Sequence, residues 1–143
     1  MNQLSEQERN KALLLRLIEE GFNNGELGVV DELVAPGMKE HQRGNPDGPE
    51  GTKEVIETLR TWFPDFTMTA QDITVDGDKV WARFVARGTN LGSFMGHPPT
   101  GRKVQVDVID VVRVKDGKVV EHWGVPDQLG VMIQLGLMER RQP

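Results

Sequence analysis

The chain has 143 residues, lacks cysteine and carries a formal net charge of -5 at pH 7. The lack of cysteine excludes disulfides, thiolate zinc sites and a thiol nucleophile. The acidic balance argues against a nucleic-acid or anionic-membrane partner, because phosphate binding needs a basic surface. This length predicts one domain over residues 1–143, with a core and one small cavity.

The N-terminal sequence MNQLSEQERNKALLLRLIEE lacks the basic start and following apolar run of a signal peptide. No stretch of the chain reaches the ~18 apolar residues that a membrane span requires. We therefore expect a cytoplasmic protein.

Helical signals fill the first half of the chain. Ser5 and Glu8 have the spacing of a capping box, and apolar residues then recur at helical intervals up to Phe22. A short second helix follows, which includes residue 34 and which Pro36 stops, and then a short strand over residues 38–41. A third amphipathic helix is expected to end before Pro64.

The second half has the composition of strands. Two of the junctions are Asp-Gly pairs, which are typical of tight hairpins, whereas residues 88–101 form a long junction rich in glycine and proline. Long loops in compact domains are more often functional than accidental. A closing helix is expected between Asp127 and Gly136. The predicted strands cover residues 66–75, 79–89, 103–115 and 118–125.

Segregated helices and strands indicate an α+β fold. We expect a cone-shaped α+β barrel, in which a curved, mostly antiparallel sheet wraps around three N-terminal helices. Such a cone leaves a cavity that is open at one end.

Asp110 is the first candidate catalytic residue. It is the one acid on an alternating face of the fourth strand whose other members are all valine, residues 104, 106, 108, 112 and 114. Burial raises the pKa of a weakly solvated carboxylate, which suits a general acid or base. The alternatives are a bulge that turns Asp110 outward, or an arginine that pairs with it.

His122 and Asp127 are the other two candidates. If Val119 and Trp123 face the helices, His122 faces away; if Trp123 lies in a subunit interface, His122 points into the cavity. Asp127 either lies at the wall of the cavity or caps the closing helix, and a cap would make it a poorer base. Strand alternation decides neither question.

Five further residues are candidates for substrate binding. Arg83 either neutralises an enolate or pairs with Asp110, the alternative being a solvated strand face. His41 ends the first strand and would border the opening of the cone. The complete set is His41, Trp62, Arg83, Asn90 and Trp123.

The sequence does not indicate a metal or nucleotide site. His41, His97 and His122 lack the close spacing of a metal motif such as HExxH. GxGxxG, P-loop and GxSxG motifs are absent as well. We therefore expect no metal and no organic cofactor.

Several short motifs occur in a characteristic order. Together they resemble the SnoaL-like polyketide cyclase family, also described as ester cyclases, of the nuclear-transport-factor-2-like superfamily. The resemblance covers roughly residues 10–137. The matching segments are WFPD (62–65), DGDKV (76–80), RGT (87–89), PTG (99–101), VIDVVR (108–113) and DGKVVEHW (116–123), with Gly51, Gly96 and Asp127.

The resemblance implies a curved-sheet cone, a homodimer and a mostly apolar pocket. It also implies an intramolecular aldol ring closure without cofactor, in which an aspartate is the general acid/base. Asp110, His122 and Asp127, with His41 beside them, match the polar pocket positions of the family. Asn90 departs from the Gly-Thr-His of many members; an asparagine donates a hydrogen bond to a carbonyl but transfers no proton at neutral pH.

We therefore expect an acid/base enzyme that acts on a small apolar substrate with a carbonyl group. An isomerase, a dehydratase or an epoxide hydrolase would suit the same scaffold. The alternative from a different class is a non-catalytic module for small-molecule binding or dimerisation, whose carboxylates only cap helices and pair with arginines.

Overall fold

The structure is a computed structural model that describes residues 4–139. The helices in this range are α1 (Glu6–Arg16), which continues as a π-helical segment (Leu17–Asn23), α2 (Gly28–Leu33), α3 (Gly48–Trp62) and α4 (Gln128–Gln134). The strands are β1 (Val34–Glu40), β2 (Thr67–Asp76), β3 (Lys79–Thr89), β4 (Lys103–Lys115) and β5 (Lys118–Pro126).

The first helix begins where the capping box predicted. The hydroxyl of Ser5 accepts a hydrogen bond from the backbone N–H of Glu8 at 3.1 Å, which satisfies one of the unpaired donors of the first turn. The helix buries the apolar face that the sequence spacing indicated, and α1 packs against β2 and β3.

The second helix and the first strand differ from the prediction. The helix ends at Leu33, and the strand begins at Val34, so β1 is longer than residues 38–41. β-branched Val34 suits extended backbone. Pro36, which cannot donate a hydrogen bond, lies where β1 loses register with β5, between Val34 and Lys39.

The five strands form one open sheet in the order β1-β5-β4-β3-β2. β1 runs parallel to β5, and the other pairs are antiparallel, which confirms a mostly antiparallel sheet. In the β4–β5 hairpin, Asp116 and Gly117 both have positive φ, 51° and 73°, as a type I′ turn requires. No helix of the described residues is long and apolar enough to cross a membrane.

One continuous apolar core joins the helices to the inner face of the sheet. The alternation of β4 determines which residues reach it: Val104, Val106, Val112 and Val114 are buried, whereas Gln105 and its neighbours of the same parity are mostly exposed or half-buried. The fold is therefore the predicted α+β arrangement, and the inner face of its sheet forms the wall of a cavity.

Candidate active site

A cavity of about 740 Å³ lies between the inner face of the sheet, the π-helical segment and α3. Its wall is mainly apolar and includes Ile18, Leu59 and Phe66. The long loop at residues 90–102 contributes Phe94 and Met95. The charged or titratable side chains that line the cavity are Glu40, Arg43, Glu54, Arg87, Asp110 and His122.

Three of these groups form a buried cluster in which His122 lies between two carboxylates. His122 Nε2 is 2.7 Å from Asp110 Oδ1. His122 Nδ1 is 2.6 and 2.9 Å from the two carboxylate oxygens of Glu40. Only 6% of the Glu40 side chain and 9% of the Asp110 side chain are exposed. The mainly apolar lining of the cavity therefore includes a buried polar cluster.

Asp110 occupies the position that the alternation of β4 predicted. It is buried on the inner face, opposite Ala82 of β3 and Gly124 of β5. Neither sequence alternative for Asp110 holds, because no bulge turns it outward and its hydrogen-bond partner is His122 rather than an arginine. The lone acid of the valine face is thus an acid of the cavity.

A bulge in β5 decides the orientation of His122. Val119 pairs with Val114 and His122 pairs with Val112, so β5 has one extra residue, at Val120, relative to β4. The bulge shifts the alternation by one residue, and Val119 and His122 both line the cavity. Strict alternation places Val119 and His122 on opposite faces of β5. For that reason the sequence pattern alone could not predict that His122 faces the cavity.

Glu40 was not recognised from the sequence. It lies directly opposite His122 because β1 pairs in parallel with β5, and the backbone N–H of Gln42 donates to its carboxylate at 2.9 Å. The available signal was its parity with Met38, which is 2% exposed. The partner strand of β1, however, is distant in sequence and is not indicated by any local pattern.

The two carboxylates change the acidity of His122. Burial alone would lower the pKa of His122, but the hydrogen bonds and charges of Asp110 and Glu40 outweigh burial and raise that pKa to about 9. A pKa in this range favours the imidazolium form of His122 at neutral pH.

Gly124 allows a close approach beside this cluster. A Cβ at Gly124 would overlap the side-chain oxygen of Gln42 and would lie 2.8 Å from Asp110 Oδ1 and 2.9 Å from His122 Cε1. Gln42 itself lines the cavity. The missing side chain of Gly124 therefore leaves the space in which Gln42, Asp110 and His122 meet.

Asp127 lies outside the cavity lining. Its side chain accepts a hydrogen bond from the backbone N–H of Gly130 at 2.9 Å and caps α4, and the residue is exposed. Of the two roles that the sequence allowed for Asp127, cavity wall or helix cap, the structure shows the helix cap. Because Asp127 is exposed, caps α4 and lies outside the cavity lining, we leave it out of the proton-transfer group.

Arg83 and Asn90 also have structural partners. Arg83 lies on the outer face, 2.8 Å from Asp72 and 3.5 Å from Asp107, and it does not contact Asp110. Asn90 is completely buried, donates to the backbone oxygens of Trp62 and Gly92, and accepts from Thr100. These bonds explain its position, because they hold the long loop against the end of α3.

His41 and Trp123 meet on the outer face of the sheet, whereas Trp62 lines the cavity. The rings of His41 and Trp123 are stacked with centroids 4.7 Å apart, and Lys79 Nζ lies 5.2 Å from the Trp123 ring. His41 Nε2 is also 2.8 Å from Glu121. Trp62 packs edge-on against Phe94 at 4.7 Å. Of the predicted substrate-binding residues, the cavity lining thus contains Trp62.

The open, curved sheet around a mainly apolar cavity defines the cone-shaped α+β fold class. The chain belongs to the SnoaL-like polyketide cyclase family, whose model matches residues 12–135.

Individual relatives agree with this assignment. The chain is 31% identical over 131 residues to the aklanonic acid methyl ester cyclase DnrD of Streptomyces peucetius, covering 86% of this chain and 88% of the relative. It is similar in structure to IdmH, a putative polyketide cyclase of Streptomyces antibioticus (39% identity, TM-score 0.80, 89% and 98% of the two chains). It is also similar to TsrD of Streptomyces laurentii (28% identity, TM-score 0.85, 95% and 100%).

Proposed function

We propose that the protein is a cofactor-independent cyclase that closes a ring in a small polyketide-like carbonyl compound by intramolecular aldol condensation. The observation that carries the proposal is the buried Asp110–His122–Glu40 cluster on the wall of an apolar cavity. A polyketide cyclase of this family needs a group that removes a carbon-bound proton in a water-poor site, and this cluster meets that need.

Asp110 is the proposed proton acceptor. The Oδ1 atom of Asp110 is bound to His122, and its second oxygen is the basic atom available to a substrate. His122, with both ring nitrogens bound to carboxylates, stays protonated and orients Asp110 instead of accepting a proton. Gln42, which lines the cavity beside the cluster, is suited to contact the substrate carbonyl.

The proposed reaction regenerates the enzyme in one cycle. The substrate C–H bond breaks, its proton moves to Asp110, and the electron pair forms an enolate. The enolate carbon attacks a second carbonyl carbon of the same molecule, which forms the C–C bond and an alkoxide. Asp110 then returns its proton to the alkoxide oxygen, so that no external acid, base or oxidant is consumed.

Proton removal can be tested separately from ring closure. We would incubate wild type, Asp110→Asn and Asp127→Asn in deuterium oxide with aklanonic acid methyl ester and a panel of simpler β-dicarbonyl esters. Exchange at the acidic carbon is followed by NMR and product formation by chromatography. We expect Asp110→Asn to lose about 10²- to 10⁴-fold in both rates, and Asp127→Asn, which still caps α4, to remain near wild type.

The outcomes distinguish the proposal from its alternatives. Equal turnover in all three proteins would rule out Asp110 as the base. Exchange without ring closure would favour an isomerase or dehydratase on the same scaffold. Binding without exchange in any protein would favour a non-catalytic binding module.

The outer face of the sheet supports a second part of the proposal, a homodimer. Trp81, Val111 and Trp123 form one cross-strand row, and Ile109 and Val125 lie in the next row. Trp81 is 45% exposed and Val125 is 69% exposed. We call these five residues the outer-face patch. We propose that a second copy of the chain covers the outer-face patch.

That residues 1–143 form a single domain and that the protein is cytoplasmic remain predictions from the sequence.

A further inference from the structure

We propose that Glu40 is a positioning residue, which holds His122 as an imidazolium between two carboxylates and leaves Asp110 as the proton acceptor of the cavity. The catalytic consequence rests on the proposed cyclase function. The state of His122 itself does not, and it can be measured without substrate.

Hydrogen-bond geometry is the first argument. A neutral imidazole has a single N–H donor, whereas both ring nitrogens donate in the cation. His122 Nδ1 lies 2.6 Å from Glu40 Oε1, and His122 Nε2 lies 2.7 Å from Asp110 Oδ1. Both acceptors are carboxylate oxygens, and a neutral imidazole can donate to one of them at most, so the cation is the form that donates in both contacts.

Glu40 is itself fixed in place. Both of its oxygens are within hydrogen-bond distance of His122 Nδ1, and Oε1 also accepts from the backbone N–H of Gln42. Glu40 and His122 are directly paired on adjacent parallel strands. The imidazole therefore has an orientation determined by the backbone of β1 as well as by its own strand.

Other charged groups near the site do not replace Glu40. Glu54 of α3, Arg43 of the loop after β1 and Arg87 of β3 line the same cavity. Within residues 4–139, however, the hydrogen-bond partners of the His122 ring are Glu40 and Asp110. Arg113 and Glu121 pair with each other at 2.9 Å, and Glu121 also binds His41.

The charge of the cluster gives Glu40 a chemical role. In the proposed arrangement, two carboxylates and one imidazolium sum to a net charge of about -1, so a proton taken up by Asp110 makes the cluster neutral. Without the Glu40 charge, the same step would leave a net positive charge in an apolar cavity, which is costly. Glu40 thus favours proton uptake at Asp110 and prevents His122 from acting as the base.

The test is the titration of the His122 ring, followed by NMR of ¹⁵N-histidine-labelled protein. The chain has three histidines, and the His122 signals are assigned by elimination with His41→Gln and His97→Gln. We expect wild-type His122 to be protonated on both nitrogens at pH 7.5. In Glu40→Gln, which keeps the shape and an acceptor for the Gln42 N–H, the proton affinity of His122 should fall by about tenfold or more.

Glu121→Gln is the matched control, because Glu121 binds His41 on the opposite face of the same strands. It should leave the His122 titration unchanged. If Glu40→Gln does not fold, Asp110→Asn gives an independent reading: His122 should still be protonated at pH 7.5 through Glu40 alone. A neutral His122 in the wild type at pH 7.5, or an unchanged titration in Glu40→Gln, would overturn the proposal.

Kinetics separate this inference from the proposed function. With a substrate that the wild type turns over, Glu40→Gln should lower kcat by about 10- to 100-fold, with little change in KM. Removing a group that orients a metal-binding histidine has an effect of this size in other proteins. Full activity in Asp110→Asn would contradict the cyclase mechanism and leave the His122 result standing. A changed His122 titration with unchanged kcat would contradict the role of Glu40 in catalysis.

Discussion

Gly124 is the residue at which one added carbon would disturb the site most. In Gly124→Ala, the new Cβ meets Gln42, Asp110 Oδ1 and His122 Cε1. Gln42 can rotate away, but Asp110 and His122 are held by their mutual hydrogen bond. We expect Gly124→Ala to fold and to lose up to about 10²-fold in kcat, because a displacement near 1 Å at a reacting group has this effect.

The matched control is Gly28→Ala, since a Cβ at Gly28 meets no atom within 4 Å and Gly28 lies at the start of α2. Alanine should be neutral or slightly stabilising there. Steady-state kinetics and urea unfolding of both variants check the prediction. Unchanged kcat in Gly124→Ala would show that the space beside Asp110 is not needed.

Local alternation placed Asp110 on a buried face, but it could not decide the face on which the candidate His122 lies, and it did not identify Glu40. β4 is regular, so that one face of it could be read directly as buried valines with one acid. His122 follows a bulge that no turn residue or glycine announces. Glu40 depends on pairing between strands more than 70 positions apart, since its partner is His122. These two residues were decided by contacts that lie outside any local pattern.

At the scale of the elements, the sheet has two functional faces. The inner face of β4 and β5 carries Asp110 and His122, whereas the outer face carries the outer-face patch. Ion pairs flank this patch: Arg83 binds Asp72, and Arg113 binds Asp78. An apolar centre with a polar rim is typical of a protein–protein interface.

We expect the wild type to have twice the mass of one chain in light scattering, and Ile109→Lys to reduce it to a monomer. Ile109 is 41% exposed and belongs to the outer-face patch, and a buried, unpaired lysine would oppose association. Thr69→Lys is the control, because Thr69 is exposed on β2, outside the patch. A monomeric wild type, or a dimeric Ile109→Lys, would contradict the homodimer proposal.

At the scale of the whole molecule, the cluster links stability to pH. The folded state raises the pKa of His122 to about 9, whereas an unfolded histidine titrates near ~6.5. The folded protein therefore binds this proton more tightly than the unfolded chain does. Its contribution to stability is complete below pH ~6.5 and is lost as the pH rises through about 9.

We expect the free energy of unfolding to fall by on the order of 1–3 kcal/mol between pH ~6.5 and ~9.5. Urea unfolding at a series of pH values measures this fall, which should be smaller in Glu40→Gln because one of the two carboxylates is removed. A wild-type stability that is independent of pH over this range would contradict the prediction.

Much of the overall fold could be predicted from the sequence. Apolar spacing, the Ser5 capping box and two Asp-Gly pairs act over a few residues, and they predicted α1, α3, four strands and both hairpins in correct order. The start of β1 at Val34 was missed, because the helical spacing of Val34 competed with its β-branched side chain. The match of the family model over residues 12–135 agrees with the resemblance seen in the short motifs.

The sequence by itself determined the α+β order of elements and the acid on the valine face of β4, because both follow from the local periods of helix and strand. Only the tertiary structure decided what that acid meets. The bulge at Val120 turned His122 inward, and the parallel pairing of β1 with β5 brought Glu40 to its other nitrogen. The cluster arises from register between distant strands, and register is set by the packing of the whole sheet.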